Sequence, residues 1–164
     1  MGRLKGWGFY GAVALGVVGY NAFTAADRDS SGAIVDGGSL DAFEIEVGDC
    51  FNDSSSASLD GEEIISSIPA VPCVESHDNE VYAVFDVGIA SYPEGDAMFD
   101  VAFDECLERF EGFVGRDYQT SVLDIYALYP TKESWAQLAD REVVCAVFDM
   151  NSNKLTGSVK NLGL

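Results

Sequence analysis

Val81-Tyr82-Ala83-Val84-Phe85-Asp86-Val87, followed within a few residues by PEGDAMFDVAFDECLERFEGFVG at 93–115, sets two structural periods side by side. In the first stretch Val81, Ala83, Phe85 and Val87 alternate with Tyr82, Val84 and Asp86, and the residue types favour extended chain, so it predicts a central strand. In the second, Val101, Ala102, Leu107 and Phe110 are spaced for one face of a helix, with Asp100, Asp104, Glu105, Glu108 and Glu111 between them. A strand beside a long amphipathic helix points to an α+β domain.

Downstream, Ser121 to Tyr129 reads as a second strand ended by Pro130. Thr131 to Ala139 reads as a short helix with Thr131 as N-cap and Trp135 as its buried anchor. Val143 to Phe148 is a third strand, and Leu155 to Val159 a fourth after a turn at 151–153. Upstream, Ile64 to Val74 is apolar but interrupted by Pro69 and Pro72, so any strand there is expected at an edge or irregular. Phe43 to Phe51 is a short extended piece, and 52–61 a polar loop. Elements interleave without a βαβ repeat, which predicts a mainly antiparallel sheet with one long helix in a single domain over residues 43–164.

Cys50, Cys73, Cys106 and Cys145 are the only cysteines. Four allow three connectivities, and spacing alone selects none. The preferred pairing joins Cys50 to Cys73, stapling an early strand to its neighbour, and Cys106 to Cys145, tying the helix to a late strand. With no CxxC pair and a single histidine, His77, neither a metal nor a cofactor is expected. His77 with Asp78 and Glu80 has the residue types of a base with orienting carboxylates. No motif places a nucleophile near it, since Gly-x-Ser-x-Gly, a phosphate loop and HExxH are all absent. His77 is therefore read as structural, bonded to backbone, and no catalytic residue is expected.

The N-terminal quarter contrasts with this. An uncharged run from Gly6 to Ala26 follows Arg3 and Lys5 and stops at Asp27-Arg28-Asp29, with aromatic residues near both ends. It is just long enough to cross a bilayer as a helix, and the charge asymmetry puts Met1 in the cytoplasm and the rest outside. Residues 1–26 are thus expected as a single-pass anchor in the cell membrane. A cleaved signal peptide ending near Thr24-Ala25-Ala26 is the alternative. Gly8, Ala12 and Gly16 share one face of that helix, the spacing by which transmembrane helices approach closely, so membrane lipid and the helices of a larger membrane complex are the expected partners. Residues 27–42, rich in Gly, Ser and Asp, read as a flexible acidic linker. Asp27, Asp29, Ser31 and Gly32 match the opening of a calcium loop, but Gly38 stands where a bidentate Glu is needed.

All 28 acidic residues and seven of the nine basic ones follow residue 24, giving the exported part a formal charge of about −21. Such a surface repels nucleic acid and anionic lipid headgroups and attracts cationic partners.

Val47-Gly48-Asp49-Cys50-Phe51-Asn52, then Val71-Pro72-Cys73, His77, Glu80-Val81-Tyr82, Cys106, Phe110 and Val114-Gly115 form an ordered set. With Ser134-Trp135, Asp140-Arg141, Val144-Cys145 and Gly157-Ser158 it resembles the septum formation family of actinobacterial exported proteins, from about residue 45 onward. The resemblance implies an exported domain with paired cysteines, often membrane-anchored or lipid-modified, and with no established activity. A glycine is usual before the Asp-Arg pair, where this chain has Ala139. Two roles follow as expectations. One is a non-catalytic accessory subunit of a respiratory, division or secretion complex, and the other a free-standing anchored protein of septum or cell-wall formation.

Overall fold

The computed structural model describes residues 24–53, 65–95 and 97–164. The helix expected at 93–115 is α1, Ala97–Val114, and it buries Met98, Ala102, Cys106, Phe110, Phe113 and Val114 on one stripe. Spacings of four residues place these side chains above one another along the face turned to the sheet. Burying each of the larger ones stabilises the fold by about 1.5–3 kcal/mol.

The sheet under α1 has six strands: β3 (Gly38–Asp41), β4 (Cys50–Phe51), β5 (Ser67–Val71), β7 (Asn79–Asp86), β8 (Leu123–Leu128) and β9 (Glu142–Asp149). Their order is β3-β5-β4-β7-β9-β8, every pairing antiparallel. Two small ladders flank it. β1 (Asp27–Arg28) pairs with β2 (Ile34–Asp36), and β6 (Ser76–His77) with β10 (Leu155–Thr156). A short helix α2, Lys132–Gln137, follows β8. Thr131 caps it as expected, in a capping box with Ser134, and Trp135 is its buried residue.

Strand alternation divides the core into two layers. Val143, Cys145 and Val147 of β9 join the α1 side, while Val144 and Ala146 join the other, with Ile34, Leu40, Ile45, Phe51, Ile68 and Ala70. The alternation expected along 81–87 breaks at one place: the register shifts between Val81 and Ala83, a bulge centred on Tyr82. Val81 therefore packs away from α1, while Tyr82 and Ala83 both face the helix side. The Tyr82 hydroxyl donates to the Cys106 carbonyl of α1 at 2.8 Å.

Several expectations for the first half need correction. Residues 27–42 are not a loose tether. They form β1, β2, β3 and the start of a 3-10 turn at Ala42–Glu44, and Ile34 and Leu40 are buried. The core thus begins before Phe43, which is itself exposed. β5 is not an edge strand, since β3 and β4 flank it. Pro69 is tolerated because its carbonyl, and so its missing N–H, faces the side where β4 has ended and only the Asn52 N–H remains to be accepted. β3 itself is covered: Ala25 bridges Ser39, Ala26 N–H donates to Ser39 O, and Ser39 N–H to Thr24 O. A Cβ at Gly38 would overlap the backbone of Thr24–Ala26, so glycine permits that approach. At the opposite edge the Leu123 and Ile125 N–H groups are taken by Ser121 Oγ and Asp124 Oδ1, which blunts β8.

The last three residues of the expected anchor thus belong to the folded domain, and the rest of it lies outside the described residues with Gly8, Ala12 and Gly16. Among the described residues no helix is long and apolar enough to cross a membrane. The calcium-like loop is organised by its own chain. Asp29 Oδ1 accepts from Ser31 N–H, Ser31 Oγ and Ala33 N–H, which holds its carboxyl below the ordinary value.

Candidate functional site

The chain enters β4 through a tight turn. Gly48 has φ +97°, a left-handed conformation that glycine alone adopts without strain, and its N–H donates to Val81 O at 2.8 Å. This turn pushes Asp49 inward until it is 3% exposed. Its carboxylate is saturated there: Glu46 N–H donates at 2.7 Å and Arg28 binds both oxygens, at 2.6 and 2.7 Å. Arg28 also donates to the Gly32 and Glu44 carbonyls. The hydrogen bond to Asp49 raises the Arg28 pKa against the opposing effect of burial. A two-pronged guanidinium–carboxylate contact fixes both partners, so β1 is locked onto the turn that leads into β4.

Cys50 follows directly and is bonded to Cys73, with 5.2 Å between their Cα atoms. Cys50 is fully buried, while Cys73 is partly exposed. Behind this cystine stand two buried polar side chains on β6 and β7, His77 at 0% and Glu80 at 1% exposure. His77 Nδ1 lies 2.8 Å from the Glu75 carbonyl, and because a carbonyl only accepts, the proton sits on Nδ1. His77 Nε2 is buried without a hydrogen-bond partner among the described residues. Glu80 accepts from Ser158 Oγ at 2.5 Å and from Val159 N–H at 2.7 Å, tying the C-terminal segment to β7. A His77 ring nitrogen, a Glu80 oxygen and Cys50 Sγ all lie within 4.8 Å of one another.

The rim of this corner is charged and more exposed. Lys154 Nζ bridges Asn52 Oδ1 and Asp78 Oδ2, and Asp78 also accepts from Asp53 N–H. Burial pushes the Asp78 pKa up, but the bonds from Lys154 and Asp53 outweigh it and the net direction is down.

A second polar knot holds α2. Ser134 Oγ donates to Asp140 at 2.8 Å, Arg141 donates to the Trp135 carbonyl, and its guanidinium lies 3.4 Å above the Trp135 ring. Ala139 sits between them with φ +55°. That left-handed backbone is one that glycine adopts without strain, so it suits the residue that the resemblance led one to expect there.

The family model for septum formation matches residues 47–162. The chain belongs to the septum formation family. Comparisons with curated proteins and with solved structures give no match. The septum formation domain draws Gly48, Asp49, Cys50, Cys73, His77, Glu80, Gly157 and Ser158, scattered through the sequence, into one corner. Ser134, Trp135, Asp140 and Arg141 form the knot at α2. Both disulfides have the preferred connectivity, Cys106–Cys145 being the second, with 5.6 Å between Cα atoms.

Two features of the septum formation domain escaped the sequence reading. Arg28, read as part of a tether, is the partner of the family's Asp49. The only signal was its charge, a lone cation in an acidic stretch. Glu80 has no role in the sequence reading beyond the rejected one of orienting carboxylate, whereas its oxygens hold residues 158–159. Away from the corner, a cleft of about 530 Å³ opens beside β8. Phe43, Phe99, Tyr126, Leu128, Tyr129 and Leu138 supply its apolar lining. Phe43 and Leu138 are exposed, at 57% and 65%.

Proposed function

We propose that this septum formation domain acts outside the cytoplasm in septum or cell-wall formation, as a non-catalytic module that works by binding. The observation that carries this reading is the use made of its buried carboxylates: Asp49 and Glu80 each hold other parts of their own chain together and are almost fully buried. Catalysis requires acids and bases within reach of substrate, and these are committed to the fold. The cleft beside β8 is lined mainly by apolar and aromatic side chains, with Thr131, Ser134, Asp140 and Glu142 among them, the mixture that contact surfaces show. Two disulfides accord with an oxidising compartment.

The apolar run fits as the tether to the membrane. Since residues 24–26 join the sheet, the run available for spanning is 6–23, about 27 Å as a helix. The accessory-subunit role rests on Gly8, Ala12 and Gly16 alone and gains no support from the folded domain.

Complementation tests the proposal. Cells lacking the protein should show delayed or misplaced septa, restored by the wild-type chain but not by a secreted, correctly folded Phe43→Asp/Leu138→Asp variant. Full rescue by that variant would remove the cleft from the account. Normal septa in the deletion strain would remove the role itself.

A further inference from the structure

The corner behind Cys50–Cys73 has the chemistry of a metal site closed by oxidation. Among the described residues, His77 Nε2 is an orphaned lone pair, and it is fully buried. An unpaired buried nitrogen costs stability, so its persistence calls for a partner. Its ring is held as histidine ligands usually are, with the other nitrogen donating to a backbone carbonyl, here Glu75 O. Glu80 is oriented in the same manner by Ser158 and Val159. The third donor atom within 4.8 Å is Cys50 Sγ, whose bonded neighbour Cys73 Sγ brings a fourth.

We propose that reduction of Cys50–Cys73 opens a buried site for a zinc-like divalent ion, with Cys50, Cys73, His77 and Glu80 as ligands. A dithiol reductant supplies two electrons and two protons and becomes its own disulfide, while the Cys50–Cys73 bond breaks to give two thiols. The ion then displaces both thiol protons to solvent and is held by two thiolates, the neutral imidazole Nε2 and the carboxylate. This is a tetrahedral N/S/O set suited to Zn²⁺. Donors around such an ion stand roughly 3.5 Å apart, so a cluster already within 4.8 Å needs to contract by no more than about 1.3 Å, and the two sulfurs to separate. While oxidised, the cystine sulfurs carry no thiolate charge and the site lacks two of its ligands. Attack on the cystine proceeds from the side of Cys73, which is partly exposed.

The sequence pattern does not announce this site, because Cys50 and Cys73 are distant in sequence and join His77 and Glu80 only through β4, β6 and β7. The test uses the full chain, reduced anaerobically, with Co²⁺ as the spectroscopic probe. The reduced protein should bind one Co²⁺ per chain with thiolate-to-cobalt charge-transfer bands and tetrahedral d–d bands, and the oxidised protein should not. His77→Gln should weaken Co²⁺ binding by at least about tenfold and remove its nitrogen ligation. Equal affinity and spectra in His77→Gln, or equal binding by the oxidised chain, would overturn the proposal. Thermal melts guard against loss of fold on reduction. Zn²⁺ should raise the Tm of the reduced wild type and leave that of reduced His77→Gln unchanged, and a rise common to both would place the ion on other ligands.

Discussion

Cys106 and Cys145 are both fully buried, in a cluster with Met98, Phe110, Val143 and Val147, whereas Cys50–Cys73 is partly exposed and borders Asp49, His77 and Glu80. The first cystine joins the middle of α1 to β9, two elements whose side chains already interlock. The second joins β4 to the loop after β5, where local secondary structure is short and side-chain hydrogen bonds do the holding. The septum formation domain thus uses the same covalent bond in two ways. On one side it reinforces packing, and on the other it completes a polar framework.

The largest expected effect tests the packed side. Replacing Cys106 and Cys145 with Ala should cost about 2–5 kcal/mol, read as a lower denaturant midpoint. Graded reduction with mass-spectrometric alkylation should label Cys50 and Cys73 before the other pair, since attack requires access. Labelling in the reverse order would break the contrast.

Next, Asp49→Ala leaves the Arg28 guanidinium without its carboxylate in a partly buried position. A loss of about 3 kcal/mol is expected by chemical denaturation. Adding Arg28→Ala to it should cost much less than the sum of the two single changes, because both remove one contact. Additivity would mean that β1 is not anchored through that pair.

Smaller in size and opposite in sign, Ala139→Gly should stabilise the α2 knot by about 1 kcal/mol, because Ala139 occupies a left-handed backbone that a Cβ disfavours. A lower Tm would show that the turn is held by something other than local strain.

The least effect is expected at Glu142, which lies opposite Asp86 in the β7–β9 ladder. Burial raises its pKa, and the nearby Asp140 and Asp86 charges raise it further. A carboxyl whose folded pKa lies above its unfolded value weakens the native state above that folded pKa. The penalty fades as pH falls towards the ordinary value of 4.5. Glu142→Gln should therefore stabilise by about 0.5 kcal/mol at pH 7 and by nothing below pH ~4, in melts across that range.

Periodicity made the packed side legible. The apolar stripe of α1, the strand character of β7, β8 and β9, the Thr131 cap and the Trp135 anchor are each written within a dozen residues, and a local pattern expresses a local preference. The polar corner was harder. Its residues were visible as a family pattern, yet nothing in Gly48-Asp49-Cys50 reveals that Asp49 faces Arg28, or that Glu80 holds Ser158. Residues 27–42 were misread for a related reason. They contain few large apolar side chains, and their place in the fold depends on Ile34 and Leu40 packing against β5 and on Gly38 admitting residues 24–26.

Composition and pattern by themselves determined an α+β domain with a long helix, an acidic surface and four cysteines for two disulfides, though not which pair with which, because hydrophobic spacing and cysteine count act over short range or on the whole chain at once. Only the tertiary structure decided where the domain begins, that β5 lies inside the sheet, and that Cys50, His77 and Glu80 meet. Those outcomes depend on contacts between segments far apart in sequence. Burial converts such a meeting into chemistry by stripping water from a carboxylate and an imidazole until only the protein's own groups can satisfy them.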